Sequence, residues 1–201
     1  PGETAGALTN YRHWSRIDAG AISFGQGLSV SAIQLISGIS AIANGGTLMK
    51  PMLVKKVLSN NGTALREYRP EAVRKVVSAR TAKQVSKMMN LAVSENGTGT
   101  KAAIEGFSVC GKTGTAQKVT ARQKGYAKNK YTSVFAGFAP IQDPELAILV
   151  VVDEPKKQYY GGDVAAPAFR DILAGSFNYL KIRPAKNQSM IAMLDKKAGE
   201  K

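Results

Sequence analysis

The sequence predicts an α/β protein of the α+β type, in which an antiparallel sheet is flanked by helices. Two strand-like runs, residues 132–139 and 146–153, are separated by a turn that contains Pro140 and Pro144, as in an antiparallel hairpin. Residues 146–152 are all apolar, which is typical of a strand covered on both faces. Three other segments carry apolar residues at helical spacing and would supply that cover.

These three helices are predicted over residues 29–43, 78–94 and 165–180. The first has Ser29 or Ser31 as its N-cap, and it is apolar on most sides, which favours burial. The last would hold Pro167 in its first turn, where a missing N–H is tolerated.

Shorter elements are predicted around the helices. Residues 53–58 and 65–68 are expected to form a small hairpin, because an Asn-Asn-Gly-Thr turn separates them. Residues 1–27 are expected to be an extended segment. The tail, residues 185–201, is basic and polar and is expected to be disordered or weakly helical.

Composition narrows the class of protein. The chain has 201 residues with 28 Lys and Arg against 14 Asp and Glu, so its net charge is +14. This charge suits an anionic partner such as nucleic acid, membrane headgroups or a cell-wall polymer. One cysteine, Cys110, and one histidine, His13, argue against a disulfide framework and a metal cluster, and we expect neither a metal nor a cofactor. No apolar run approaches transmembrane length.

The stretch around Lys112 carries the strongest chemical signal. A short β-prone run leads into Lys112, two glycines flank the lysine, and small residues follow it, as in a strand edge cleared for a ligand. Side chains alternate along a strand, so Thr113 and Thr115 would present both hydroxyls to one carboxylate. Gly114 leaves space between them, and the Thr115 N–H could stabilise an oxyanion.

Other interpretations of this stretch remain open. A β-turn or a phosphate-binding glycine loop would also use glycine here, although the Gly-x-x-x-x-Gly-Lys-Ser/Thr pattern is absent from the sequence. Residues 118–130 contain five basic residues and no acidic one, which suits either an anion-facing loop or a solvated connection.

Six short blocks occur in order along residues 1–184. They are Gly-Gln-Gly-Leu-Ser-Val at 25–30, Ala-Ile-Ala-Asn-Gly-Gly at 41–46, Gly-Thr-Gly-Thr-Lys-Ala at 97–102, Lys-Thr-Gly-Thr-Ala-Gln at 112–117, Phe-Ala-Gly-Phe-Ala-Pro at 135–140 and Gly-Gly-Asp-Val-Ala-Ala-Pro at 161–167. Together they resemble the class B penicillin-binding proteins, and in particular the division-type transpeptidase that builds septal peptidoglycan. The resemblance implies a penicillin-binding, β-lactamase-like transpeptidase fold.

The resemblance also implies a chemistry. Such enzymes are D,D-transpeptidases that acylate a serine with a stem peptide, release D-alanine and pass the acyl group to a neighbouring amine. Lys112 and Thr115 would be catalytic, whereas Thr113, Gly114, Thr115, Tyr160 and Gly161 would bind substrate. The implied partners are peptidoglycan stem peptides and β-lactams. The implied location of the parent protein is the extracytoplasmic face of the plasma membrane, with a membrane anchor.

The sequence departs from the family at the nucleophile. No serine in the chain is followed three residues later by lysine, so the Ser-x-x-Lys motif is missing. Ser94-Glu95-Asn96 has the form of the family's Ser-x-Asn motif, but its position beside the glycine loop indicates coincidence. We therefore expect residues 1–184 to be the C-terminal half of a transpeptidase domain, inactive alone, completed by an upstream half, and prone to self-association through an exposed sheet edge.

Two other functions compete with this hypothesis. A penicillin-recognising sensor or β-lactamase relative would share the Lys-Thr-Gly strand. A basic nucleic-acid-binding module would explain the charge, but the sequence lacks an RNP, helix-turn-helix or zinc pattern, and only Tyr126 and Tyr131 lie within or beside the basic run. We expect no nucleic-acid partner.

Overall fold

The computed structural model describes residues 3–119 and 126–184. These residues form two compact units that divide between Val85 and Ser86, within a helix. No helix in the described ranges has both the length and the apolar character needed to cross a bilayer. The predicted tail at 185–201 lies outside the described residues, as does much of the basic segment at 118–130.

The first unit begins with helices. A 3-10 turn at Tyr11–His13 precedes α1 (Arg16–Ser23), so the prediction of an extended segment over residues 1–27 was wrong there. The Ser15 N–H donates to the Asp18 carboxylate at 2.6 Å, which starts α1 and lowers the pKa of Asp18.

The predicted helix at 29–43 is confirmed as α2 (Ala32–Ala43), and Ser31 is its N-cap. The Ser31 hydroxyl accepts from the Gln34 N–H at 3.2 Å, and the Gln34 side chain accepts from the Ser31 N–H at 2.8 Å, as in a capping box. Only Ala41 is buried, so the prediction of a buried helix was wrong. The described residues of the first unit cover only part of the apolar surface of α2.

Four short strands complete the first unit. β1 (Thr47–Met49) pairs antiparallel with β4 (Ala72–Lys75), and β2 (Lys56–Leu58) pairs antiparallel with β3 (Ala64–Glu67). The second pair confirms the predicted hairpin. Helix α3 (Ala79–Leu91) follows and crosses the boundary between the units, as the pattern over 78–94 predicted.

The second unit is built on an antiparallel three-stranded sheet with the order β5-β6-β7. Its strands are β5 (Cys110–Val119), β6 (Tyr126–Ala139) and β7 (Leu146–Asp153). The register places Thr113 opposite Phe135, which in turn lies opposite Val150. This sheet confirms the predicted fold class, and β5 has no second strand partner among the described residues.

One face of this sheet holds the core. Helix α4 (Gly161–Leu180) packs on it, and Phe135, Phe169 and Leu173 are each 0% exposed there. The Phe135 and Phe169 rings are 4.7 Å apart at 57°, a tilted arrangement favoured by aromatic pairs. Leu146, Ile148, Val150 and Val152 of β7 pack against the same cluster.

The described residues cover the opposite face of the sheet only at one end. Cys110 and Phe138 lie opposite each other and are fully buried, and the Cys110 thiol contacts the Ser86 carbonyl of α3 at 3.2 Å. Burial raises the pKa of Cys110 to about 12. At the other end of this face Val151 is 49% exposed, so the prediction that β7 is covered on both faces was wrong.

Helix α4 starts earlier than predicted. It begins at Gly161 rather than at residue 165, so Pro167 lies inside the helix and not in its first turn. It ends at Leu180, and the following residue, Lys181, adopts φ 58° in the left-handed region.

The two glycines that flank Lys112 have different packing roles. A Cβ added at Gly111 would lie 2.3 Å from Phe135 Cζ, so this glycine makes room for a core ring. A Cβ added at Gly114 would meet only Val134 Cβ, at 3.5 Å, which is an ordinary contact. Gly111 therefore serves packing, and the space beside Gly114 is open.

A charged cluster joins the ends of all three strands. Lys118 of β5 contacts Asp153 at 2.9 Å and Glu154 at 3.0 Å, and Lys130 of β6 contacts Glu154 at 3.2 Å. Hydrogen bonds from Lys118 lower the pKa of both carboxyls, with Thr132 also acting on Asp153, and the two carboxylates raise the pKa of Lys118.

We expect Gly111→Ala to destabilise the second unit by about 1–3 kcal/mol, because the new methyl group would collide with the Phe135 ring. Gly114→Ala is the matched control and should change stability by less than about 1 kcal/mol. Urea unfolding of both variants checks this, and equal losses would contradict the assigned packing roles.

The charged cluster predicts a loss of stability in acid. The pKa values of Asp153 and Glu154 are depressed in the folded state, so their contribution is present at neutral pH and disappears as pH falls below about 4. Lys118→Met should make the melting temperature less dependent on pH between pH 7 and pH 3. Lys128→Met, at an exposed lysine with no ion pair to a described residue, should leave the pH profile unchanged.

Candidate active site

A cavity of about 310 Å³ lies between β5 and the start of α4. Two other segments complete its wall: the glycine-rich loop at 97–102, which shortly precedes β5, and the first turn of α4, which lies far along the chain. The residues that line it are Thr98, Thr100, Lys101, Thr113, Thr115, Tyr160, Gly161, Gly162 and Asp163. Four of the six residues predicted for the site are among them: Thr113, Thr115, Tyr160 and Gly161.

The two threonines of β5 lie on the same face of the strand, and each has a hydrogen-bond partner. The Gly161 N–H donates to Thr115 Oγ1 at 3.1 Å. Thr113 Oγ1 lies 3.0 Å from Thr98 Oγ1, and either hydroxyl could be the donor. A hydroxyl has one proton and two acceptor lone pairs, so Thr115 keeps its proton for a ligand.

Lys112 lies on the other face of β5. Its side chain is exposed, and its ammonium group donates to the Thr113 carbonyl at 3.0 Å. Gly114 shares that face and does not line the cavity, because side chains alternate along the strand. The structure thus brings Thr113, Thr115, Tyr160 and Gly161 together and leaves Lys112 and Gly114 on the opposite side of the same edge strand.

An aromatic stack borders the cavity. The rings of Tyr131 and Tyr159 are 4.2 Å apart and nearly parallel, at 13°, and the rings of Tyr159 and Tyr160 are 4.5 Å apart at 39°. The Ser133 hydroxyl donates to the Tyr159 carbonyl. A hydrogen bond to Tyr160 at 3.3 Å raises the pKa of Tyr159. Tyr160, with 58% of its surface exposed, is the member of the stack that lines the cavity.

The start of α4 lies unusually close to the sheet. A Cβ at Gly161 would be 2.3 Å from the Val134 carbonyl oxygen and 2.5 Å from the Gly114 carbonyl oxygen. A Cβ at Gly162 would be 2.2 Å from the Thr98 carbonyl oxygen. Only glycine permits this approach, which brings the first N–H of the helix to Thr115.

Sequence reasoning missed the charged pair of the cavity and the threonines of the loop. Lys101 Nζ lies 2.7 Å from Asp163 Oδ1 and joins the loop to the first turn of α4. Thr98 and Thr100 come from the same loop. The sequence signal for these residues is their position within the blocks at 97–102 and 161–167.

The chemistry of the cavity is that of an anion site. The hydroxyl groups and the helix N-terminus favour a carboxylate in this space, whereas the Lys101 ammonium group is already paired with the Asp163 carboxylate. No group of three or more His, Cys, Asp or Glu side chains within residues 3–119 and 126–184 is arranged to hold a metal ion.

Comparison with known proteins identifies the family. The chain is 37% identical over 193 residues to a probable peptidoglycan D,D-transpeptidase PenA of Neisseria flavescens, covering 96% of this chain and 45% of the relative. It is 39% identical over 189 residues to the stage V sporulation protein D of Bacillus subtilis, covering 93% of this chain and 29% of that protein. The chain thus spans less than half the length of these curated relatives.

Solved structures agree with the sequence matches. Penicillin-binding protein 3 of Mycobacterium tuberculosis superposes with a TM-score of 0.82 at 32% identity, covering 92% of this chain and 43% of that chain, and its structures include complexes with aztreonam and ampicillin. A family model described as the penicillin binding protein transpeptidase domain matches residues 1–174. The chain therefore belongs to the penicillin-binding protein transpeptidase domain family.

Proposed function

We propose that this chain supplies one wall of the active site of a peptidoglycan D,D-transpeptidase that β-lactams inhibit. The observation that carries the proposal is the pair of hydroxyls on Thr113 and Thr115, which face one cavity on an edge strand. A stem peptide that ends in D-alanine presents a carboxylate, and a penicillin presents one as well. Both ligands would therefore use the same two donors.

In the proposed reaction a serine hydroxyl attacks the carbonyl of the penultimate D-alanine. The peptide bond breaks, and terminal D-alanine leaves with the proton on its amine. The amine of a neighbouring stem then attacks the ester, which re-forms a peptide bond and returns the proton to the serine. The Thr115 N–H would stabilise the oxyanion in both steps.

Lys112 would act from the other face of β5. Its exposed ammonium group is available to relay a proton to and from the serine and to attract the substrate carboxylate. Because Lys112 and Thr113 lie on opposite faces, a ligand would reach both only by lying along the edge of the strand. That edge has no strand partner among the described residues.

The serine itself would come from an upstream segment of the same protein. The sequence contains no Ser-x-x-Lys, and the curated relatives are more than twice as long as this chain. Alone, the chain should be inactive, and its open edges and the exposed end of the sheet face would favour self-association. The complete protein would act in cell division in the cell envelope, on the extracytoplasmic side of the plasma membrane.

The other two functions receive less support. The family match and the named relatives are transpeptidases, which favours this function over a sensor, a β-lactamase or a nucleic-acid-binding module. The net charge of +14 would then serve contact with an anionic cell-wall polymer.

The claim that this chain contains no nucleophilic serine is tested with a fluorescent penicillin. We expect no covalent adduct on the chain alone, and a stable adduct on the serine when the upstream half is present in the same polypeptide. An adduct that survives denaturation on the isolated chain would contradict the assignment of the serine to the upstream half.

The carboxylate role is tested by Thr115→Val in the complete protein. Loss of a hydrogen bond to a charged group should lower the rate of acylation by roughly tenfold to a hundredfold. Thr115→Ser should retain most of the rate because it keeps the hydroxyl. The matched control, Thr63→Val, removes a hydroxyl at an exposed position between β2 and β3 and should leave the rate unchanged.

A further inference from the structure

The hydroxyl of Thr113 lies beside that of Thr98, and the direction of their hydrogen bond determines whether Thr113 can donate to a ligand. Thr98 Oγ1 lies 3.0 Å away, so one of the two hydroxyls donates to the other. A carboxylate can only accept hydrogen bonds, and Thr113 has a single proton. If Thr113 donated to Thr98, it could not also donate to a substrate carboxylate.

At Thr115 the hydroxyl accepts a hydrogen bond from the protein, so its proton is not used within the site. Thr115 Oγ1 accepts from the Gly161 N–H at 3.1 Å, and a backbone N–H can only donate. The proton of Thr115 is therefore free for a ligand. If Thr98 donated to Thr113, the Thr113 hydroxyl would likewise accept one hydrogen bond from the protein and keep its own proton for the ligand.

Thr98 is held in place by its surroundings. The Gly99 N–H donates to the Ala92 carbonyl at 2.9 Å, and a Cβ at Gly99 would lie 2.8 Å from the Phe135 ring. On the other side, Gly162 of α4 lies against the Thr98 carbonyl, where a Cβ would be only 2.2 Å from the oxygen. Thr98 is itself exposed, but its backbone packs against α4 and the next residue, Gly99, packs against the core.

An ion pair completes this support. Lys101 Nζ lies 2.7 Å from Asp163 Oδ1, which ties the loop that contains Thr98 to the helix that contains Gly161. Both protein donors, the Thr98 hydroxyl and the Gly161 N–H, therefore sit on segments joined to each other as well as to β5.

We propose that Thr98 is a positioning residue for the substrate carboxylate: its hydroxyl donates to Thr113 Oγ1 and so reserves the Thr113 proton for the carboxylate. A hydrogen-bonded chain from Thr98 through Thr113 to the ligand would strengthen each bond through polarisation. This inference rests on the proposed function, because it presumes that Thr113 binds the carboxylate of a stem peptide or a β-lactam.

The test compares two ligands on the complete protein. The rate constant for acylation is measured with benzylpenicillin, which carries the carboxylate, and with its methyl ester, which does not. We expect Thr98→Val to slow acylation by benzylpenicillin about fivefold to tenfold and to leave the ester almost unchanged. Thr98→Ser, which keeps the hydroxyl, should behave as the wild type, and so should the remote control Thr63→Val.

The ratio of the two rates is measured within one variant, so it does not depend on the fraction of protein that is folded. An equal loss with both ligands would show a merely structural role for Thr98 and overturn the inference, as would no loss with either. A wild-type protein that forms no adduct with benzylpenicillin would overturn the proposed function, and this inference with it.

Discussion

The close approach of α4 to the sheet is the constraint on which the candidate site depends. The first residue of the helix lies against the carbonyl groups of Val134 and Gly114, at distances that leave no room for a Cβ. Because the helix comes so near, its first N–H reaches Thr115, and its first turn reaches the loop at 97–102. The cavity is the space that remains where these three segments meet.

The alternation of side chains along β5 divides the proposed roles between two faces. The α4 face carries Thr113 and Thr115, whose partners are fixed by the helix and the loop. The other face carries Lys112 and Gly114 and is open at this end, as the exposure of Val151 shows. A ligand that uses both faces must lie along the edge of β5 that has no strand partner among the described residues. Such an edge is suited to an extended peptide.

Much of the fold could be predicted because its signals are local. The hairpin of β6 and β7 follows from two apolar runs around a turn, and α2 follows from the cap at Ser31 and the apolar spacing. Helix α1 was missed because it is only eight residues long and has Gly20, a poor helix former, in its interior, although Ser15 and Asp18 form a recognisable capping pair. The start of α4 was missed because glycine is a poor helix former, and here close packing overrides that propensity.

By itself the sequence determined the fold class, the resemblance to a transpeptidase family, the Lys-Thr-Gly strand and the absence of a Ser-x-x-Lys. These are properties of short stretches, so they can be read without coordinates. Only the tertiary structure decided which face of β5 lies against α4 and that Thr98, Lys101 and Asp163 belong to the same cavity. Lys101 and Asp163 are 62 residues apart, and only the packing of α4 against the sheet and the loop brings such distant positions into contact.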